Sequence, residues 1–281
     1  MQEASRADSA WASPTLTAAT QEPAPKVSDK GEKQAEKKAT PAQKSPVLKP
    51  KLREFPSKDG LILSADLYMP NKHRKAPLIV LFHQANWSRG EYREIAPKLC
   101  ALGYNCMAVD LRSGRTVNDV PNETAKRAKD LELDTEYADA IPDMEAALTY
   151  ARKHLTQGPV IAWGSSYSSA LALRLAGTQP KLMDGVLSFA PGEYFKAKGE
   201  SWIQEAAKKI KCPTFITSAK DEHPRWEAIF EAIPTKTKRA FVPESKGNHG
   251  SRALWKQFED SPAYWKEVKT FLKKHYPVQV N

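Results

Sequence analysis

The sequence predicts an α/β fold, in which a mostly parallel central sheet is covered by helices on both faces. Two patterns predict it. From residue 78 onward, short apolar runs alternate with amphipathic stretches, an order typical of parallel sheets built from strand–helix–strand units. In addition, the runs at Leu78–Phe82 and residues 160–163 are apolar at every position, as expected of strands that are buried on both faces.

The chain of 281 residues divides into a tail and one domain. Residues 1–50 are rich in Ala, Pro, Lys, Glu, Ser and Thr, so they cannot bury enough apolar surface to fold, and we expect a disordered tail or linker. Residues 51–281 have the length of a single α/β domain. We expect a secreted or periplasmic protein whose export signal is absent from this chain, with a cytoplasmic protein as the alternative.

Composition argues against several classes of protein. The net charge is +10, but the basic residues lack the clustering and interleaved aromatic residues of a nucleic-acid interface, so we expect no nucleic-acid partner. No apolar run reaches the length of about 18 residues that a transmembrane helix needs. One hypothesis is that the basic tail tethers the protein to an anionic surface or polymer. Neither a metal nor an organic cofactor is expected.

The three cysteines cannot close a disulfide framework among themselves. Cys100, Cys106 and Cys212 each lie in an apolar setting, which favours buried free thiols. A Cys100–Cys106 bridge is the alternative.

The predicted elements begin with a hairpin. Residues 52–57 and 61–69 alternate in polarity around the turn signal Lys58-Asp59-Gly60. Further strands are predicted at Leu78–Phe82, Asn105–Val109, residues 160–163, Gly185–Phe189, residues 214–218 and residues 238–242, and helices at residues 92–102, 170–176, 202–210, 225–233 and 264–275.

Two stretches between the strands need separate treatment. Residues 115–133 are polar and have no steady period, so we expect a long loop with one helical turn near residues 125–129. From Tyr137 to Leu155, apolar residues recur at three- and four-residue spacing, which predicts an amphipathic helix. Pro142 is expected in its first turn or at a kink.

Residues 159–170 predict a sharp turn between a strand and a helix that presents a serine. Such a turn crowds the positions two before and two after the serine, so both must be small. Ser166 meets this requirement with Gly164 and Ser168. Ser165 fails because both of its corresponding neighbours are bulky, and Ser168 lies past the turn. We therefore predict that Ser166 is a nucleophile.

A serine nucleophile needs a base within hydrogen-bond reach and a carboxylate that orients the base. His249 is the predicted base, because it lies in a glycine-flanked loop between the last strand and the last helix. Asp221 is the predicted acid, because it closely follows a buried strand. Glu193 and Asp110 also follow strands and are alternatives, although Asp110 is better explained as a residue that orders its own loop.

Attack of Ser166 on a carbonyl creates an oxyanion that needs preorganised donors. The N–H of Tyr167 lies at the N-terminus of the following helix, where unpaired donors and the helix dipole favour negative charge. The second donor is expected from the loop after Leu78–Phe82, as the N–H of Ala85 or, alternatively, of Gln84.

These motifs resemble those of the α/β-hydrolase superfamily. The order Gly164-x-Ser166-x-Ser168 after a strand, then Asp221, then His249 is similar to the order and spacing in that family. The resemblance covers about residues 52–276 and implies the α/β-hydrolase fold.

The loops at residues 83–92 and 110–114 resemble those of dienelactone-hydrolase-like esterases. Three positions depart from the family patterns. Ser168 stands where glycine is usual, and Gln84 replaces the glycine that commonly follows the loop histidine. Dienelactone hydrolases proper use a cysteine nucleophile, whereas this chain has Ser166.

The resemblance implies a serine hydrolase that cleaves small-molecule or polymeric carboxylic esters through an acyl-enzyme. Peptidases, thioesterases and acyltransferases use the same residues, so these activities stay open. The alternative from another class is a catalytically silent member of the fold that binds a ligand.

The substrate site is expected to be open. Few residues separate Gly192 from Cys212, which leaves little room for an inserted cap. We expect four side chains to line an apolar cleft for an acyl or aryl group: Trp87, Tyr194, Phe195 and His223. Packing of Trp87 and Phe195 against their own loops is the alternative.

Overall fold

The computed structural model describes residues 48–278. The predicted disordered tail falls almost wholly outside this range. The tethering role and the compartment inferred from the tail therefore also lie outside the described residues. Within residues 48–278, no helix is both long enough and apolar enough to cross a bilayer.

The described chain contains a single sheet of eight strands. The strands are β1 (Lys51–Pro56), β2 (Ile62–Tyr68), β3 (Leu78–Phe82), β4 (Asn105–Val109), β5 (Val160–Ser165), β6 (Gly185–Phe189), β7 (Thr214–Thr217) and β8 (Lys238–Phe241). They lie in the order β1-β2-β4-β3-β5-β6-β7-β8. The pairs β1–β2 and β2–β4 are antiparallel, and all the other neighbouring pairs are parallel. The predicted mostly parallel sheet is therefore confirmed.

Helices cover both faces of this sheet. They are α1 (Ile95–Ala101), α2 (Glu123–Asp130), α3 (Ile141–Tyr150), α4 (Tyr167–Thr178), α5 (Trp202–Ala207), α6 (Glu227–Ala232) and α7 (Ser261–His275). Side chains of α1 and α7 pack in one apolar core, and those of α2 to α6 pack in the other. In β3, Val80 belongs to one core and Leu81 to the other, which is why this strand is apolar at every position.

The first predicted helix begins later than its sequence pattern indicates. A 3-10 turn at Arg89–Tyr92 precedes α1. Ser88 caps this turn by accepting a hydrogen bond from the Gly90 N–H at 3.1 Å. The helix ends as predicted before Gly103, whose φ is +97°.

The polar stretch at residues 115–133 contains a longer helix than the expected single turn. Asn122 caps α2, because its side-chain oxygen accepts a hydrogen bond from the Ala125 N–H at 2.8 Å. The predicted helix from Tyr137 divides into a 3-10 turn at Tyr137–Ala140, then α3, then a π-helical turn at Ala151–Leu155. Pro142 lies in the first turn of α3, as expected.

All three cysteines lie in the described part of the chain and are free thiols. Cys100 and Cys106 are buried, which agrees with the expected reduced state, and Cys212 is partly buried. The alternative Cys100–Cys106 bridge is not formed.

Candidate active site

Ser166 lies at the sharp turn between β5 and α4. Its backbone has φ 57° and ψ −123°, a conformation that residues other than glycine rarely adopt. At Gly164, an added Cβ would lie 2.4 Å from the Cα of Ser169, so this position must stay small. Residues 164–168, which we call the elbow, therefore hold Ser166 in a strained strand-to-helix turn of the kind that can expose a nucleophilic serine.

The two neighbouring serines use their hydroxyls within the fold. Ser165 is fully buried and donates to Oε1 of Glu91 at 2.7 Å. The Ser168 hydroxyl donates to the Phe82 carbonyl oxygen at 2.9 Å and accepts from the Ser165 N–H at 2.9 Å. Ser168 therefore does more than supply a small side chain where glycine is usual, because its hydroxyl bonds the elbow to the end of β3.

The carboxylate that contacts His249 is Glu222, and the prediction of Asp221 is wrong. Nδ1 of His249 lies 2.5 Å from Oε1 of Glu222. Glu222 is 8% exposed, whereas Asp221 is an exposed residue of the same 3-10 turn, Lys220–Arg225. The turn directs consecutive side chains in different directions, so only one of the two carboxylates faces the site.

The two alternative acids serve other purposes. The carboxylate of Glu193 accepts hydrogen bonds from the N–H groups of Ile203 and Gln204 at 2.9 and 2.8 Å, so it caps α5. Asp110 pairs with Arg89 at 2.5 Å and accepts from the Glu123 N–H. It therefore orders its own loop, as expected.

The sequence did contain a signal for Glu222, although a weak one. Its second oxygen, Oε2, accepts a hydrogen bond from the Ala219 N–H at 3.2 Å, as an acidic residue in the first turn of a helix commonly does. Proximity to the end of a strand could not separate Asp221 from the next residue.

Opposing effects act on the ionisation of Glu222. Burial acts to raise the pKa of its carboxyl, but the hydrogen bond and charge of His249 outweigh it, so the pKa lies below its usual value. Glu222 is therefore ionised at neutral pH and can hold a proton on Nδ1 of His249.

The loop that carries His249 packs directly against the elbow. We call residues 242–251 the His249 loop. The N–H of Ser251 donates to Oγ of Ser165 at 2.8 Å. An added Cβ at Gly250, whose φ is +69°, would lie 2.5 Å from the same oxygen. This close approach brings the His249 loop to the residue that precedes Ser166.

Two N–H groups suit an oxyanion. Tyr167 is the first residue of α4, where an N–H has no partner within the helix. In residues 83–88, which we call the oxyanion loop, the Gln84 N–H donates to Oε2 of Glu91 at 2.8 Å. The Gln84 N–H therefore already has a partner, which argues against the alternative assignment and leaves the Ala85 N–H as the candidate donor of this loop.

His83 fixes the conformation of the oxyanion loop. Its Nδ1 lies 2.8 Å from the Gln84 carbonyl oxygen, and its Nε2 accepts from the Leu111 N–H at 3.0 Å. Burial lowers the pKa of His83 to about 4, so the ring is neutral. It joins the loop after β3 to the loop after β4.

The four side chains predicted to line a cleft do not form one lining. Trp87 stacks on Trp255 with ring centroids 5.3 Å apart, and Phe195 and His223 pack against tryptophans of their own region. Tyr194 lies beside Ser166. Burial raises the pKa of Tyr194 above its usual range, although a hydrogen bond with Ser166 acts to lower it. The alternative of loop packing holds for Trp87 and Phe195.

A cleft of about 900 Å³ lies beside the oxyanion loop. It is lined by Asn86 of the oxyanion loop, by residues 112–116, by α2 and by Tyr137. The Tyr137 ring lies 4.6 Å from that of Tyr167, and Asn86 directly follows Ala85. Ser166, Glu222 and His249 are not part of the lining. Within residues 48–278, no three side chains of His, Cys, Asp or Glu are grouped as metal ligands.

Comparison with known sequences gives two matches. Residues 73–211 match the family described as serine aminopeptidase, S33. This stretch contains Ser166 and ends before Glu222 and His249. A thiohydrolase of Arthrinium phaeospermum is 30% identical over 132 residues, which are 46% of this chain and 39% of that protein. The match thus spans well under half of that relative.

Solved structures are similar over most of the chain. An esterase of Pyrococcus furiosus has a TM-score of 0.62 at 18% identity, over 81% of this chain and 93% of its own. A dienelactone hydrolase of Anabaena variabilis has a TM-score of 0.61 at 17% identity, over 81% and 99%. An acylaminoacyl peptidase of Pyrococcus horikoshii has a TM-score of 0.60 at 15% identity, over 85% and 43%.

Proposed function

We propose that this chain, which has the α/β-hydrolase fold, is a serine hydrolase that cleaves carboxylic esters through Ser166, His249 and Glu222. One observation carries the proposal. A serine in the elbow conformation and a histidine held at 2.5 Å by a buried carboxylate lie on loops that contact each other.

The first half of the reaction forms an acyl-enzyme. Glu222 keeps the proton of His249 on Nδ1, which leaves the lone pair on Nε2 to accept the Ser166 proton. Oγ of Ser166 bonds to the ester carbonyl carbon as this proton leaves. When the tetrahedral intermediate collapses, the bond to the alcohol oxygen breaks, and His249 returns the proton to that oxygen.

The second half repeats these steps with water. His249 takes a proton from the water as its oxygen bonds to the acyl carbon. The bond to Oγ of Ser166 then breaks, and Ser166 regains its proton. The products are an alcohol and a carboxylic acid, and the enzyme returns to its starting state.

The N–H groups of Tyr167 and Ala85 hold the oxyanion in both halves. Donors fixed by a helix start and a braced loop need no reorganisation when the charge develops, and this lowers the barrier. His83 supports the second donor, because it ties the oxyanion loop to the loop after β4.

The cleft supports a substrate with polar or short groups. Cationic and anionic side chains both line it, and its aromatic lining is Tyr137. The side chains are Arg112, Arg115, Lys126, Lys129, Glu123, Glu132 and Glu136. Burying a long alkyl chain against them would desolvate charged groups without compensation.

Turnover of p-nitrophenyl acetate and butyrate tests the proposal. Ser166→Ala should lower kcat by at least about a thousandfold, because the nucleophile is lost. Ser201→Ala is the matched control, since the Ser201 side chain makes no capping hydrogen bond and lies outside the elbow and both loops, and it should retain wild-type turnover. Undiminished turnover in Ser166→Ala, or none in the wild type, would refute the assignment.

Thioester hydrolysis is the second candidate, because the matched relative is named a thiohydrolase. The family description also raises peptide hydrolysis. Assays of a butyryl oxyester, a butyryl thioester and an aminoacyl anilide distinguish the three. We expect the oxyester to have the highest kcat/KM. A preference of about tenfold or more for another substrate, equivalent to about 1.4 kcal/mol in the barrier, would replace the ester assignment.

A further inference from the structure

We propose that Glu91 is a positioning residue whose carboxylate fixes the oxyanion loop, the elbow and the His249 loop relative to one another. This inference rests on the proposed function. Glu91 takes no part in the steps above, yet it is fully buried behind the nucleophile. It belongs to the 3-10 turn Arg89–Tyr92.

The carboxylate joins two of the three loops directly. Oε2 accepts the Gln84 N–H at 2.8 Å, and Oε1 accepts the Ser165 hydroxyl at 2.7 Å. Gln84 immediately precedes the Ala85 donor, and Ser165 immediately precedes the nucleophile. One rigid side chain therefore sets the distance between the oxyanion loop and Ser166.

The link continues to the third loop through Ser165. Its Oγ, which donates to Glu91, also accepts the Ser251 N–H at 2.8 Å. The Glu91 carbonyl oxygen accepts from Nε1 of Trp255 at 3.0 Å, just beyond the same loop. His249, Ser166 and the Ala85 N–H are thus all positioned relative to one buried carboxylate, that of Glu91.

Charge is part of this arrangement. Both carboxylate oxygens accept hydrogen bonds, which suits the ionised form. Burial raises the pKa of Glu91 to about 7, although Ser165, Gln84, Arg252 and Ser251 act to lower it.

The other titratable groups that face Glu91 are Tyr92 and Tyr167. Burial raises the pKa of both phenols well above its usual value, so they stay neutral over the working range. Arg252 is the charged neighbour on the side of the His249 loop. Protonation of Glu91 near neutral pH removes its negative charge. It should therefore weaken the hydrogen bonds that hold the oxyanion loop and the elbow together.

Glu91→Gln tests this role with Glu145→Gln as its matched control. Glu145 is 8% exposed and bonds to Lys58 and Gln179, so it is a buried glutamate outside the three loops. Because a shift of about 1 Å can cost about a hundredfold in rate, Glu91→Gln should lower kcat on p-nitrophenyl butyrate about 10- to 100-fold. KM should change less than about threefold, since ground-state binding is largely kept. Glu145→Gln should keep wild-type kcat.

Ser165→Ala breaks the same link from the other side and serves if Glu91→Gln does not fold. It should lower kcat by a similar factor. In the double variant the two losses should not multiply, because both remove one contact. Independent, multiplying effects would overturn the proposal.

The pH profile separates positioning from general packing. In the wild type, Glu91 must be ionised for both of its oxygens to accept their hydrogen bonds, so kcat/KM should fall on the acid side as Glu91 takes up a proton. In Glu91→Gln, this contribution to the acid side of the profile should be lost. If kcat/KM of Glu91→Gln depended on pH below neutrality as that of the wild type does, the proposed role of Glu91 would be contradicted.

Hydrogen exchange keeps the two proposals distinguishable. In Glu91→Gln, amides of residues 83–88 and 249–252 should exchange faster than in the wild type, and those of α7 should not. This readout needs no substrate. If the wild type hydrolyses no ester but the exchange differs as stated, the proposed function fails and the bracing by Glu91 stands. Unchanged exchange with wild-type kcat in Glu91→Gln overturns the inference.

Discussion

The assignment of the acid depends on which of two adjacent residues faces inward. Asp221 and Glu222 occupy one 3-10 turn, and burial separates them: Glu222 is 8% exposed and bonded to His249, whereas Asp221 is exposed. Residue type and distance from the strand could not make this choice, because both residues are acids after the same strand. The backbone of the turn decides it.

Charge removal at these two neighbours gives opposite outcomes. Glu222→Gln should lower kcat about 10²- to 10⁴-fold, because the amide cannot stabilise the protonated His249. Asp221→Asn is the matched control and should stay within about twofold of the wild type. Stopped-flow or steady-state turnover of p-nitrophenyl butyrate measures both.

The same comparison can refute the assignment of Glu222 as the acid. A larger loss in Asp221→Asn than in Glu222→Gln would restore the acid first predicted from the sequence. Equal, small losses would mean that neither carboxylate orients the base.

At the scale of elements, the strands could be read from the sequence and several helices could not. Apolar runs such as Leu78–Phe82 and Asn105–Val109 were predicted with the correct bounds, because burial on both faces dictates their composition. The start of α1 and the length of α2 depend on contacts distant in sequence. Arg89, for example, pairs with Asp66 and Asp110, and no local pattern reveals those partners.

The residues of the candidate site also divide into those that a local sequence pattern predicts and those that it does not. Ser166, His249 and Tyr167 could be proposed from the sequence because a turn, a loop and a helix start each leave a local signature. Glu222 and Glu91 were missed, since their contacts with His249 and Ser165 are made across the fold. Only the packed structure brings a glutamate of the Arg89–Tyr92 turn to the elbow.

Arg112 connects three elements and should matter for stability. Its guanidinium binds Asp143 at the start of α3 and Asp59 in the β1–β2 turn, both at 2.7 Å. Arg112 is 4% exposed and Asp143 is fully buried. Arg112→Met should lower the free energy of unfolding by about 3–5 kcal/mol, because Asp143 is left buried without a partner.

Chemical denaturation checks this value. Arg112→Met with Asp143→Asn should recover part of the loss, since the uncompensated charge is removed. Arg239→Met is the matched control, because Arg239 is exposed and pairs with Glu267, and it should lose less than about 1 kcal/mol. Equal losses at the two arginines would contradict the argument.

At the scale of the whole molecule, the segment between β4 and α3 shapes the cleft that we propose as the substrate site. It contributes α2 and residues 132–137 to the cleft. Only α5 and a short turn at Lys196–Lys198 lie between β6 and β7. The wall of this cleft is therefore formed by residues that precede the elbow in the chain.

This wall predicts the acyl preference. The p-nitrophenyl esters of acetate and butyrate should exceed the palmitate in kcat/KM by at least about tenfold, because a long chain would desolvate the charged lining. Ala125→Trp narrows the cleft from α2 and should raise KM for butyrate. Labelling of Ser166 by a small fluorophosphonate should be unaffected. A preference for palmitate would contradict the assigned cleft.

The order of strands has a consequence for synthesis on the ribosome. β5 and the elbow emerge well before β7 and β8, which carry Glu222 and His249 to the site. Under the proposed mechanism, a nascent chain that has folded as far as β6 holds Ser166 without its acid or its base. It would form no acyl-enzyme efficiently until the last two strands have been added at the edge of the sheet. Release or cleavage before residue 249 would then yield an inactive polypeptide, so hydrolase activity would report that translation has passed the His249 loop.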